Sequence, residues 1–387
     1  MVLDCQKHLF SFPEEVHYLN CAAMSPLSKS VESVGLQSVL RKSKPHEITQ
    51  EQFFDTLEVV KSRFALLVNC SPESVAMMPS VSYGMAIVVK NLLKKRNISA
   101  QQKILLVGEE FPSDVYAWDE LVQEKGVRVE IVKAPDILNG RGKVWNERLL
   151  EAMDDSTLAI CISPIHWADG TKFDLQAIGE RCRQNRTFFA IDGTQCIGGY
   201  PFDLQKVKPD FLVCAAYKWL LGPYGNTLAY FGDFFNEGTP LEQTWAGRLG
   251  SQEFKDLINY QPQYRPGAYR YNMGEFSNFI QLPMVAEGLQ HILDWTPEGI
   301  QSYAHQLLAD PLSQLKNAGF WVEEETHRAS HLFGIRPIQG QDLNRIKQAL
   351  LDENIFVSYR GASIRVSINV WNDKADLDCL VKVLCAG

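Results

Sequence analysis

Short apolar runs alternate with polar, helix-spaced stretches between residues 50 and 235. The apolar runs are 75–78, 104–107, 129–132, 158–163, 188–191, 211–215 and 228–231. Strands apolar at nearly every position are buried on both faces, which is the habit of parallel sheets. Between them, residues 49–69 put Phe53, Phe54, Leu57, Val60, Phe64 and Leu67 on one face of a helix. Residues 83–94, 113–125 and 174–185 read as further helices, and Ser71-Pro72-Glu73 as a turn. Strand and helix in alternation predict an α/β domain with a mostly parallel sheet. Ligands of such sheets bind at the carboxyl ends of the strands.

The last third changes character. Residues 276–295 and 299–317 predict two long helices. A strand near 332–335, a helix near 342–351, strands near 356 and 364–368 and a closing helix follow. The expected organisation is a large domain over 21–285 and a smaller α/β domain formed by 286–387 with residues 1–20.

With 45% hydrophobic and 22% charged residues, the composition is that of an ordinary globular protein. The net charge of -8, without any basic run, argues against nucleic acid or an anionic membrane as the main partner. No apolar run approaches the roughly 20 residues of a membrane helix. Residues 1–20 mix Asp4, Lys7, Glu14 and Glu15 among apolar positions, unlike a signal peptide, so a cytoplasmic location is expected. The nine cysteines show no C-x-x-C pair and no zinc-type spacing, and no metal site is expected. Cys161 and Cys214 fall inside strands and read as buried, reduced thiols.

The sharpest chemical signal is Phe188-Phe-Ala-Ile-Asp192-Gly193-Thr194-Gln195, a buried strand that ends in an acid, with Gly193 freeing the backbone to turn. Twenty-six residues on, Asp210-Phe-Leu-Val-Cys-Ala-Ala-Tyr217-Lys218 ends a second apolar strand in a cation, and Gly222, Pro223 and Gly225 follow. A strand-end lysine alone is most often a solvated cap. Paired with a strand-end acid and the G-P-x-G turn, it points to a site.

The combination D-G-x-Q, then K-x-x-x-G-P-x-G, resembles the class V aminotransferase family of fold-type I pyridoxal-phosphate (PLP) enzymes, which includes cysteine desulfurases, kynureninases and isopenicillin-epimerase-like proteins. The resemblance is strongest between about residues 70 and 280. It implies a PLP-dependent enzyme that acts on a small-molecule amino acid through an external aldimine. Lys218 is then the catalytic residue, carrying the cofactor as a Schiff base and moving the proton at the α-carbon. Asp192 is implied to pair with the pyridine nitrogen, and Gln195 to lie near the phenolate oxygen or the Schiff base.

The same resemblance puts the phosphate at Ser80, Val81 and Ser82, where a strand, a small-residue turn and a helix start bring free N–H groups together. Taken alone, Ser80 and Ser82 are helix caps. Tyr217 takes the slot of a phosphate-binding His or Tyr. Phe111 matches the aromatic stacked on the ring, or else belongs to the core. His166 falls where relatives place a polar group by the phenolate oxygen; by itself it is a loop histidine. Arg365 matches the arginine that binds the substrate carboxylate, for which its planar fork suits; the alternative is a solvent-facing strand arginine. The loop 264–275, with Arg270, Gly274 and Glu275, comes in relatives from the partner subunit, which implies a homodimer with shared active sites. Arg265 and Arg270 then either bind an acidic substrate tail or belong to the interface.

The pattern fails in one place. A cysteine desulfurase needs a nucleophilic cysteine on a flexible loop ahead of the carboxylate arginine, yet Ile355-Phe-Val-Ser-Tyr-Arg-Gly-Ala-Ser-Ile-Arg365 contains none. Cys379 and Cys385 lie beyond it. An aminotransferase or a related lyase or epimerase is therefore favoured over a desulfurase. A nucleotide-dependent oxidoreductase lacks its G-x-G-x-x-G or P-loop motif. A non-catalytic binding protein of the same fold would have no need of Lys218.

Overall fold

The computed structural model describes residues 3–338 and 340–386. Its centre is a seven-stranded sheet made of β1 (Val75–Met78), β2 (Lys103–Val107), β3 (Arg128–Val132), β4 (Thr157–Ile162), β5 (Phe188–Asp192), β6 (Phe211–Ala215) and β7 (Thr227–Phe231). The order across the sheet is β1-β7-β6-β5-β4-β2-β3. Only β7 runs against its neighbours; the pairs from β6 to β3 are all parallel. Every residue of β4, β5 and β6 is buried. Alternate side chains feed two cores, Phe189, Ile191 and Leu212 on one face and Phe188, Ala190 and Phe211 on the other. A continuous apolar run is what such a doubly covered strand requires.

Helices α1 (Lys29–Lys42), α2 (Asp55–Val68), α3 (Val81–Lys95) and α4 (Pro112–Tyr116) precede β3. Three predicted helices are shorter than their periodicity suggests. The run 49–69 breaks at Phe54, whose φ of -123° is not helical, so that Phe53 and Phe54 both turn onto Phe254, at 5.2 and 6.4 Å. The run 113–125 becomes α4 and a second helix, Asp119–Lys125, with Trp118 fully buried at the break. The helix predicted from 276 begins at Gln281, because the Asn278 side chain accepts from the N–H groups of Ile280 and Gln281 at 3.2 and 2.9 Å and caps it there.

Helices Gln281–Trp295 and Pro297–Asn317 lead into an antiparallel sheet of β8 (Phe320–Trp321), β9 (Leu332–Pro337), β10 (Ser358–Arg360) and β11 (Ser363–Ser367), in the order β10-β11-β9-β8. Its core gathers Leu308, Phe333, Ile364, Val366 and Leu380. The chain start joins this lobe: His17–Tyr18 pairs in parallel with Ile355–Phe356, and the Ala22 N–H donates to Ser367 Oγ at 2.8 Å. Among the described residues no helix is long and apolar enough to cross a membrane.

Candidate active site

A cavity of about 160 Å³ opens where β1, β2, β4, β5 and β6 end. Each strand delivers a side chain to its wall. Ser80, Val81 and Ser82 follow β1; Phe111 follows β2; Ser163 follows β4; Asp192 closes β5; and Tyr217 and Lys218 follow β6. β7 runs the other way, so its first residue, Thr227, lines the cavity too. The sheet topology alone thus converges side chains that are far apart in sequence.

Lys218 is 7% exposed and has no ion pair of hydrogen-bonding length among the described residues. Burial pushes its ammonium down to about 8, against the opposing pull of the Asp192 carboxylate. Its Nζ lies 5.7 Å from the Phe111 ring centre and 5.4 Å from that of Tyr217. Asp192 accepts from the Thr194 N–H at 2.9 Å on one oxygen. Gly193 permits this turn by lacking a side chain: a Cβ there would lie 2.7 Å from Ile197 Cγ1 and 2.8 Å from Leu212 Cδ1. Its need is space rather than an unusual φ. Positive φ after the lysine falls on Leu221, at 56°, and on Gly225, at 84°.

At the β1 end, Ser80 caps α3 by accepting from the Tyr83 N–H at 3.1 Å. That leaves the other first-turn N–H groups and the helix dipole directed toward the same wall, an arrangement that suits an anion. Gln195 lines the cavity, but its amide is already engaged: Nε2 donates to the Ala22 carbonyl at 3.0 Å and Oε1 accepts from Trp219 at 2.9 Å.

Arg365, on β11, stands just behind the wall. It is 1% exposed, donates to the Trp167 carbonyl at 2.9 Å and to Ser358 Oγ at 3.3 Å, and leaves its buried Nε without a partner. Burial, and then the like charge of Arg360, weaken its hold on its proton. Both of its bonded acceptors are neutral, so the charge is uncompensated at the cavity's back.

His166 departs from the expected place. It is fully buried and absent from the cavity wall, with Nδ1 on Asp169 at 3.2 Å and Nε2 on the Gly108 carbonyl at 3.1 Å. Burial alone would lower its pKa, but the hydrogen bond and charge of Asp169 raise it. The next residue, Trp167, takes the wall position instead and meets Phe111 edge-on at 5.5 Å. Arg270, Gly274 and Glu275 also lie off this wall: Arg270 donates to the Gly238 carbonyl at 3.3 Å, and the Gly274 N–H bonds Glu242. Arg265 stacks on Tyr269, 3.5 Å from its ring centre.

Sequence reasoning passed over Ser163, Trp167, Thr194 and Tyr224, all on the wall, and the buried acids Glu110 and Asp114 beside it. Only the four-residue spacing of Glu110 and Asp114 around Phe111 carried any signal. A larger cleft of about 950 Å³ passes Leu67, Lys172, Phe202 and His327. Its one thiol, Cys196, is pushed well up by burial, and of its lysines Lys143 and Lys206 are exposed and Lys172 is half-buried. The convergent, buried, charged groups are in the smaller cavity, and chemistry follows those.

The wall residues can hold a planar, phosphate-bearing group between an acid and an amine. Residues 18–380 match the family model described as aminotransferase class-V. The chain is 21% identical over 361 residues to the uncharacterized aminotransferase YcbU of Bacillus subtilis, covering 92% of this chain and 89% of that one. It is 22% identical over 385 residues to the uncharacterized aminotransferase C777.03c of Schizosaccharomyces pombe, covering 97% and 92%. Its fold is similar to that of a cysteine desulfurase from Thermococcus onnurineus, with a TM-score of 0.83 at 16% identity over 100% of this chain and 99% of that one. With a family match that runs through both lobes and every strand of the site, the chain belongs to the class V aminotransferase family.

Proposed function

We propose that this chain is a PLP-dependent enzyme of the aminotransferase type, acting on the α-carbon of an amino acid and working as a homodimer. The observation that carries the reading is one cavity whose wall holds a buried lysine near neutrality and a buried aspartate, with the uncompensated Arg365 just behind it. The residues fit the cofactor. Asp192 would hold the pyridine nitrogen, Lys218 the carbonyl carbon, and Ser80, Val81 and Ser82 the phosphate at the start of α3. Arg365, whose charge meets only neutral acceptors and whose Nε lacks a partner, would bind the substrate carboxylate.

When bound, PLP supplies an electron sink for the α-carbon of the amino acid attached to it. The chain's own residues do the rest. Asp192 keeps a proton on the ring nitrogen through a charge-assisted bond. Lys218, freed as an amine, takes the α-proton and returns it, a role that its lowered pKa suits. Arg365 fixes the substrate by its α-carboxylate. Burial of all three strengthens each interaction relative to water.

Among the described residues of the cavity wall only Lys218 is cationic, so a dianionic phosphate at Ser80, Val81 and Ser82 has hydroxyls and N–H groups but no further positive charge on that wall. A neighbouring subunit's loop, carrying Arg270, Gly274 and Glu275, would supply the missing contact. Light scattering that gave a monomer in the loaded enzyme would contradict this.

Transamination is tested by mixing the loaded protein with single amino acids and following conversion of the bound cofactor to its amine form. Conversion with release of a 2-oxo acid supports the reading. Turnover without conversion would reassign the chain to elimination or epimerisation.

A further inference from the structure

Asp114 plays no part in the chemistry above, yet among the described residues it is a fully buried acid with neither oxygen paired. It leaves the first turn of α4 and is fully buried, and neither of its oxygens receives an N–H or O–H from any described residue. The group that acts on it most closely is the carboxyl of Asp192, through its charge and a side-chain hydrogen bond. We propose that Asp114 is a positioning residue, a neutral carboxylic acid whose O–H donates to Asp192 and holds that carboxylate, singly charged, on the cavity wall.

Two carboxylates at hydrogen-bond distance in a buried site cannot both ionise. One proton between them removes the repulsion and satisfies both groups. The surroundings decide where it sits. Asp192 has the Thr194 N–H at 2.9 Å and is the acid whose charge Lys218 feels. Asp114 has no donor. The remaining neighbour, Glu110, is served by Ser163 Oγ at 3.0 Å and the Phe111 N–H at 2.9 Å. The anion therefore rests on Asp192 and the proton on Asp114. Burial, then the charges of Asp192 and Glu110, push the Asp114 carboxyl well above its usual range.

The inference rests on the PLP reading for its purpose, though not for its first test. Without cofactor at neutral pH, the infrared spectrum of the full chain should contain a protonated carboxyl stretch that Asp114→Asn removes. If subtraction leaves no such band, the proposal is overturned. The second test is the Kd for PLP by absorbance titration. Asp114→Asn keeps a neutral donor and should bind within about twofold of the parent, whereas Asp114→Ala removes it and should bind roughly tenfold more weakly. An Asn variant as weak as Ala, or an Ala variant as tight as the parent, would overturn the role. Should the Ala variant fail to fold, the infrared band and the isosteric Asn variant still decide. If the parent itself binds no PLP, the cofactor reading fails while the infrared result stands on its own.

Discussion

Asp192 pairs in register with Val213 of the neighbouring parallel strand, so the acid that closes β5 stands beside the strand whose next turn presents Lys218. The two groups are twenty-six residues apart in sequence and reach one cavity through sheet pairing. Their separation is set by two buried strands rather than by loops, and such strands hold functional groups rigidly.

Capture of the cofactor should depend on pH through Lys218. A lowered pKa means that the neutral amine, which is the nucleophile, appears earlier as pH rises. With a value of about 8, roughly 1% is neutral at pH 6 and roughly 90% at pH 9. The rate at which unloaded protein takes up PLP should climb about tenfold per unit below pH 8 and level off above it. A stopped-flow rate that is flat from pH 6 to 9 would contradict this.

Arg365→Ala should raise KM for amino acids by roughly 10- to 100-fold, the loss of about 1.5–3 kcal/mol of charge-assisted bonding, with kcat less affected. Arg365→Lys should recover only part of this, since it restores the charge without the planar fork. Steady-state kinetics with one amino acid checks both variants.

Gly193→Ala should destabilise the fold by about 1–3 kcal/mol through overpacking, because the added Cβ would press on Ile197 and Leu212. The same strain displaces Asp192. Thermal unfolding should show a lower Tm, and cofactor affinity should fall with it.

Cysteine should be a poor sulfur donor. The turn between β10 and β11 is Gly361-Ala362 and carries no thiol. The thiol whose charge couples to Lys218 and Arg365 is Cys21, which is fully buried and pushed up to about 12. Attack on substrate sulfur needs a thiolate with access. Brisk sulfide release from cysteine would contradict this expectation.

Much of this arrangement was legible in the chain. Buried strands advertise themselves as unbroken apolar runs, and Asp192 and Lys218 stand out because a charge ends each of two such runs. Helix ends were less legible, since periodicity cannot see that Asn278 caps a helix by its side chain or that Phe53 and Phe54 share one aromatic partner. Trp167 takes the wall position expected of His166 because adjacent loop residues point in different directions, and packing on Asp169 and Trp145 decides which is inward. Glu110 and Asp114 look like ordinary turn acids; their burial exists only once the fold has brought them beside Ser163 and Asp192.

The most direct test is borohydride reduction of the PLP-loaded protein followed by peptide mapping. The reduced cofactor should be found on the peptide carrying Lys218, and Lys218→Ala should lose the covalent mark while keeping its fold. A mark on another lysine, or none in protein that binds PLP, would contradict the account.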